Sequence, residues 1–299
     1  MSETAVPKST SATRPEVQRT GTPSGGPSGN IAQRFRELTN ANELGLVAYI
    51  TAGDPSLEAS AEIVLAAADA GADVIELGVP FSDPLADGPT IQRASERALR
   101  GGATLAGVID LVRHVRARSK VPLVLFSYFN PILQMGLDKF ADEAARAGAD
   151  GVLATDLTLE EADDYRAILH ARGLDTIFLA APTSTDARLA KIAEVSSGFL
   201  YLISRMGVTG TRDALPEELP ALAKRVRRVT KLPIAVGFGI SQPEHVMALA
   251  GVADAAVVGS ALVAEIEKAG APKLAAEAVA ARIRALKQAA REALRHQNK

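Results

Sequence analysis

The feature that most constrains this chain is a regular alternation. Short apolar runs that favour strands are separated, again and again, by longer stretches with helical spacing. Eight runs qualify as strands: Leu46–Thr51, Val74–Gly78, Leu123–Ser127, Gly151–Thr155, Thr176–Ala180, Phe199–Ser204, Ile234–Gly237 and Ala255–Val258. They carry few charges, as strands covered on both faces should. Helical stretches such as Leu57–Ala70, Leu105–Arg118, Leu159–Arg172, Ala187–Ser196 and Ala221–Val229 lie between them. Three helix-to-strand joints, at 69–77, 146–154 and 171–179, repeat one form in which a glycine can end the helix before the next strand. Eight such repeats predict a single-domain (β/α)8 barrel, a TIM barrel of the α/β class. A doubly wound open sheet is the competing architecture. Against it, TAGDPS follows the first strand where a dinucleotide fold would carry GxGxxG.

Composition narrows the functions available. Of 299 residues 47% are hydrophobic, enough for one large core, and the net charge of −2 gives no general pull toward nucleic acid or an acidic membrane. No run reaches the ~18 apolar residues of a membrane span. The N-terminus lacks the apolar core of a signal peptide, so a cytoplasmic location is expected. The absence of cysteine removes thiolate nucleophiles, thiolate metal sites and disulfides. Residues 1–30 are rich in Ser, Thr, Pro and Gly and are expected to form a disordered extension, with residues 31–299 as the catalytic barrel domain. Residues 273–296 predict a long amphipathic terminal helix.

A barrel places its chemistry at the C-terminal ends of its strands. The second strand there reads VIELGVPFSDPLADGPTIQ from Val74 to Gln92. Glu76 sits inside an apolar run, where a charge is costly without a partner or a task. Asp87 lies in the loop that follows. Two acids in different surroundings can divide proton transfer and charge stabilisation between them, with Glu76 as the poised proton carrier and Asp87 as a fixed negative charge. Structural readings compete: Glu76 could pair with an arginine, and Asp87 could cap the helix that Pro89 opens. Asp83 and Asp54, each before a proline, read as turn residues. The histidines His114, His170, His245 and His296 fall in helical stretches and read as surface residues, and no lysine lies in or just after a strand. Gly239 after the seventh strand, with Gly259 and Ser260 after the eighth, predicts a phosphate pocket, which Gly210 in the long sixth loop could close.

These motifs in order, with TAGDP before and YFNPI, SRMGVTGTR, GFGIS and GSALV after, resemble the tryptophan synthase α subunit family over residues 31–290. The resemblance implies a (β/α)8 barrel that cleaves indole-3-glycerol phosphate to indole and glyceraldehyde 3-phosphate by a retro-aldol reaction. It implies no cofactor in this chain, with pyridoxal phosphate held by a β subunit that receives the indole in an αββα complex. Carried over residue by residue, Glu76 matches the general acid/base and Asp87 the carboxylate facing the indole N–H. Tyr49, Phe126 and Tyr128 match the indole pocket and Tyr201 a tyrosine beside the site. Phe238, Gly210, Gly239, Gly259 and Ser260 match the phosphate end, and Thr209 a lid threonine that meets the aspartate. Asp83, Pro84 and Asn130–Pro131 resemble parts that face the β subunit. Two departures stand out: Thr158 occupies a usual proline position, and Phe126 is aromatic where aliphatic residues also occur. A stand-alone lyase that releases free indole and a non-catalytic phosphate-binding barrel remain as alternatives.

Overall fold

The computed structural model describes residues 29–203, 216–237 and 239–294. Its strands are β1 (Gly45–Thr51), β2 (Val74–Gly78), β3 (Leu123–Ser127), β4 (Gly151–Ala154), β5 (Asp175–Ile177), β6 (Leu179–Ala180), β7 (Leu200–Ile203), β8 (Ile234–Gly237) and β9 (Ala255–Val258). Every pairing is parallel, and β1 pairs with both β2 and β9. The ladder runs β5-β4-β3-β2-β1-β9-β8-β7-β6. Its two ends are separated in sequence by Phe178 alone, so the circle closes through one interrupted strand, and the fold is a (β/α)8 barrel. The run 176–180 thus forms two strands rather than one. Its first half pairs with β4 and its second with β7. At the changeover the Tyr201 N–H donates to the Phe178 carbonyl at 3.2 Å.

Register separates the side chains into two sets. Val47, Val74, Val124, Leu153, Ile177 and Val257 point inward and pack together inside the barrel. Alternate residues such as Ala48, Ile75, Leu77 and Val152 point outward beneath the helices. The lower mouth is plugged by helix Asn30–Ala41, whose Ile31, Phe35 and Leu38 join the inner cluster, with Phe35 and Phe199 rings 5.9 Å apart. This helix begins within the segment expected to be an extension; residues 1–28 of that segment lie outside the described residues. Helices Pro89–Arg100, Leu137–Ala147 and Ser260–Ala269 add to those read from the sequence, and helix Pro272–Ala293 is the long terminal one.

The repeated joints do more than turn the chain. Gly71 and Gly148 adopt positive φ of 107° and 92°. Two residues later an aspartate closes a ring with the neighbouring strand. The Asp73 N–H donates to the Leu46 carbonyl at 2.8 Å while its carboxylate accepts from Leu46 N–H at 2.7 Å. Asp150 does the same with Leu123, and Asp254 with Ile234. Each carboxylate is then neutralised, Asp73 by Arg34 and buried Lys287, Asp150 by Arg116, Asp254 by Arg227. These three carboxylates at the lower rim are therefore engaged in structure.

Candidate active site

Glu76 points into the barrel between Tyr49 on β1 and Val124 on β3, its register partners. It is fully buried, and neither carboxylate oxygen has a hydrogen-bond partner among the described residues. No arginine among the described residues pairs with it, so the structural pairing anticipated as one alternative is not found among them. Burial among apolar side chains pushes its carboxyl up from 4.5 to about 8. A carboxylic acid kept neutral near pH 7 in this way can both give and take a proton.

Asp87 is half-buried at the end of the β2 loop. The loop is folded back on itself: Leu85 N–H donates to the Asp83 carbonyl, Asp87 N–H to the Pro84 carbonyl, and the Gln92 amide to the Asp87 carbonyl. Helix Pro89–Arg100 is preceded by Gly88 with no side-chain cap, so the Asp87 carboxylate is not spent on capping. Instead the Tyr128 hydroxyl donates to Asp87 Oδ2 at 3.3 Å while accepting from the Ala86 N–H at 2.9 Å. Burial raises the Asp87 carboxyl to about 6, against the opposing pull of the Tyr128 hydrogen bond. The two acids thus differ by about two pH units in the order the sequence suggested, the strand acid neutral and the loop acid charged near neutrality.

Beside Asp87 opens a pocket of about 610 Å³ of empty space, counting its part open to solvent. Tyr49, Asp87, Phe126, Tyr201, Gly239, Gly259 and Ser260 line it, which brings together seven of the twelve residues expected at the site. Glu76 adjoins Tyr49 in the ladder, and Tyr128 reaches the site through Asp87. Thr209, Gly210 and Phe238 lie outside the described residues. The Tyr49 and Phe126 rings meet edge to face, with centroids 5.2 Å apart, and offer an aromatic wall to a flat ligand. At the opposite end, helix Ser260–Ala269 starts at the pocket, and Gly259 O accepts from the Leu262 and Val263 N–H groups. The first N–H groups of the helix have no acceptor within it, so this end suits an anion.

Several contributors were not read from the sequence. Ile91, Val257 and Ala261 also line the pocket. Gly78 and Gly237 make room for the tyrosines. A Cβ on Gly78 would lie 2.1 Å from the Tyr49 hydroxyl oxygen, and one on Gly237 2.2 Å from that of Tyr201. A glycine ending a strand whose neighbour carries a tyrosine was the available signal. Two polar residues differ from expectation. His245 is buried rather than superficial, its Nδ1 accepting from the Ser241 N–H at 3.3 Å. Asp54 is a buried ion-pair partner of Arg97, not merely a turn former. Asp156 Oδ1 accepts the Phe129 N–H at 2.7 Å and is engaged in holding the helix after β3.

Comparison with known proteins places this geometry in a lineage. The family model described as tryptophan synthase alpha chain matches residues 35–293. The tryptophan synthase alpha chain of Solibacter usitatus is 53% identical over 238 residues, 80% of this chain and 89% of that one. That of Geobacter sulfurreducens is 48% identical over 259 residues, 87% of this chain and 98% of the relative. Among solved structures, Mycobacterium tuberculosis tryptophan synthase superposes with a TM-score of 0.82 at 36% identity, covering 88% of this chain and 99% of that one. The alpha subunit from Legionella pneumophila gives 0.78 at 37% identity, covering 88% and 98%. A family model spanning the barrel, relatives near half identity along most of their length and the same fold together establish that the chain belongs to the tryptophan synthase alpha chain family.

Proposed function

We propose that this chain cleaves indole-3-glycerol phosphate to indole and glyceraldehyde 3-phosphate as the α component of tryptophan synthase, with Glu76 and Asp87 as its catalytic residues. The observation that carries the role of Glu76 is its buried carboxyl, which has no hydrogen-bond partner among the described residues, near a pocket that ends in a helix N-terminus. In the retro-aldol reaction the bond between indole C3 and the glycerol C3′ breaks. Neutral Glu76 delivers its proton to C3, which puts positive charge on the indole nitrogen. The Glu76 carboxylate then takes the proton of the C3′ hydroxyl as the C3–C3′ bond parts. The electron pair returns to the ring, the carbonyl of glyceraldehyde 3-phosphate forms, and Glu76 ends protonated for the next turnover. Charged Asp87 faces the indole N–H and stabilises the intermediate cation. Tyr49 and Phe126 flank the ring, Tyr128 holds Asp87, and Tyr201 packs beside Glu76. Gly239, Gly259 and Ser260 hold the phosphate, with Thr209, Gly210 and Phe238 assigned by family resemblance.

Residues 31–299 act as one catalytic domain that needs no cofactor of its own. The partner is a β subunit carrying pyridoxal phosphate, in an αββα complex in the cytoplasm. Supporting that docking, Leu85 is 90% exposed beside Asp83 and Pro84, and Leu133 is 53% exposed beside Asn130 and Pro131. Among the described residues no helix is long and apolar enough to cross a membrane. The test is indole release from indole-3-glycerol phosphate, with and without a β subunit. Release that rises strongly on adding the β subunit is the expected result. Equal release in both marks a stand-alone lyase, and none in either refutes the catalytic reading.

A further inference from the structure

The two helices that begin at the pocket are fastened to each other some distance from it. Helix Pro89–Arg100 starts two residues after Asp87, and helix Ser260–Ala269 starts at the phosphate end. They pack through Ile91, Ala94 and Val263 in a small apolar cluster that includes Tyr49. Farther along, their charges form a continuous chain. Arg93 donates from Nε and Nη2 to the two oxygens of Glu267, both at 2.8 Å. Arg97 donates from Nη1 to Glu267 Oε1 at 2.8 Å. It also donates from Nε and Nη2 to both oxygens of Asp54, at 2.9 and 2.8 Å. Asp54, in the loop after β1, is 1% exposed.

An isolated surface ion pair contributes little to stability. This network differs on three counts: two of its contacts are two-pronged, one carboxylate is buried, and its members belong to three elements that surround the pocket. Hydrogen bonds from Arg93, with Arg97 adding to them, hold the Glu267 carboxyl down at about 2, so its charge persists across the working range. Glu267 lies seven residues into its helix, about 10 Å from the Ser260 end, and none of the four charged residues is among those that line the pocket.

We infer that the Asp54–Arg97–Glu267–Arg93 chain is a strut that fixes the distance between the phosphate-holding helix end and Asp87, with Glu267 as its positioning residue. The inference rests on the lyase reading given above. The phosphate is anchored on one helix and the indole nitrogen faces the end of the other, so slippage between them misplaces the reacting bond. Misplacement near 1 Å can cost about 100-fold in rate. Glu267→Gln keeps the side chain's size and removes its charge. Its kcat is expected to fall about tenfold, while the inhibition constant of inorganic phosphate moves less than twofold, because the helix end itself is untouched. Combining it with Arg93→Gln should add little further loss, since both remove the same link.

Asp142→Asn, which removes one of the two exposed carboxylates paired with Arg172 (Asp142 at 2.7 Å, Asp138 staying at 2.8 Å) away from the pocket, is the control for loss of an exposed ion pair and should keep the parental kcat. An unchanged kcat in Glu267→Gln, or an equal fall in Asp142→Asn, overturns the strut. A phosphate inhibition constant that weakens as much as kcat falls also overturns it, by making Glu267 part of anion binding. Failure of the unaltered protein to release indole, with or without a β subunit, refutes the lyase reading instead.

Discussion

Replacing Glu76 by glutamine should abolish cleavage and, at alkaline pH, make the protein more stable. The folded protein holds this carboxyl at about 8, whereas the unfolded chain ionises it near 4.5. The native state therefore keeps a proton that the unfolded chain releases, and stability falls as pH rises from one value to the other. At about 1.4 kcal/mol per pH unit, the group costs the fold about 2 kcal/mol at pH 6 and on the order of 5 kcal/mol at pH 9. Glutamine has no such dependence. The gap between variant and parent should thus widen by about 2.5–3 kcal/mol between pH 6 and pH 9. In thermal midpoint this is roughly 4–6 °C for a chain of this size. The assay is a pair of melting curves at pH 6, 7.5 and 9, run beside indole-release kinetics. Parallel melting curves would mean that Glu76 is ionised and solvated in the folded state, and the argument for a poised proton carrier would fail. An active Glu76→Gln enzyme would remove it from the chemistry altogether.

Asp87→Asn should lower kcat by about 100-fold or more through loss of the charge facing the indole nitrogen. Wild-type turnover should decline below about pH 6, where Asp87 takes up a proton, and a flat acid limb in the pH profile would contradict that role. Gly78→Ala should depress kcat/KM about tenfold or more, because the new methyl would sit 2.1 Å from the Tyr49 hydroxyl and 2.4 Å from its ring; parental kinetics would show that the ring moves freely. Lys287→Met should cost about 3 kcal/mol in urea unfolding, since Lys287 Nζ pairs with buried Asp73 at 2.8 Å. Its kcat should be unchanged, as the pair lies at the barrel end away from the pocket, and a coupled loss of kcat would show communication along the barrel.

Much of the barrel is legible in local pattern. The strands at Val74–Gly78, Leu123–Ser127, Ile234–Gly237 and Ala255–Val258 have the limits read from the sequence. Their apolar runs are covered on both faces and bounded by abrupt changes in polarity. Glu76 stood out for the same reason, as an acid where burial forbids one without cause. The break at Phe178 was not legible, because it arises where pairing passes from β4 to β7 and not from any residue that disfavours a strand. Helix Asn30–Ala41 was obscured because its apolar face has meaning only as a plug for the barrel floor.

Sequence alone therefore determined the repeating unit and the barrel architecture, and it pointed to the two acids and the glycines proposed for the phosphate, since each leaves a local trace in spacing or polarity. Tertiary structure decided which charges are spoken for. Asp73, Asp150 and Asp254 are engaged at the lower rim, Asp54 is paired with Arg97, and Glu76 has no hydrogen-bond partner among the described residues. Arg93 and Glu267 are 174 residues apart, yet both fork atoms of one meet both oxygens of the other. A carboxyl's proton affinity depends on the solvent and partners around it, and closure of the barrel brings those from distant parts of the chain.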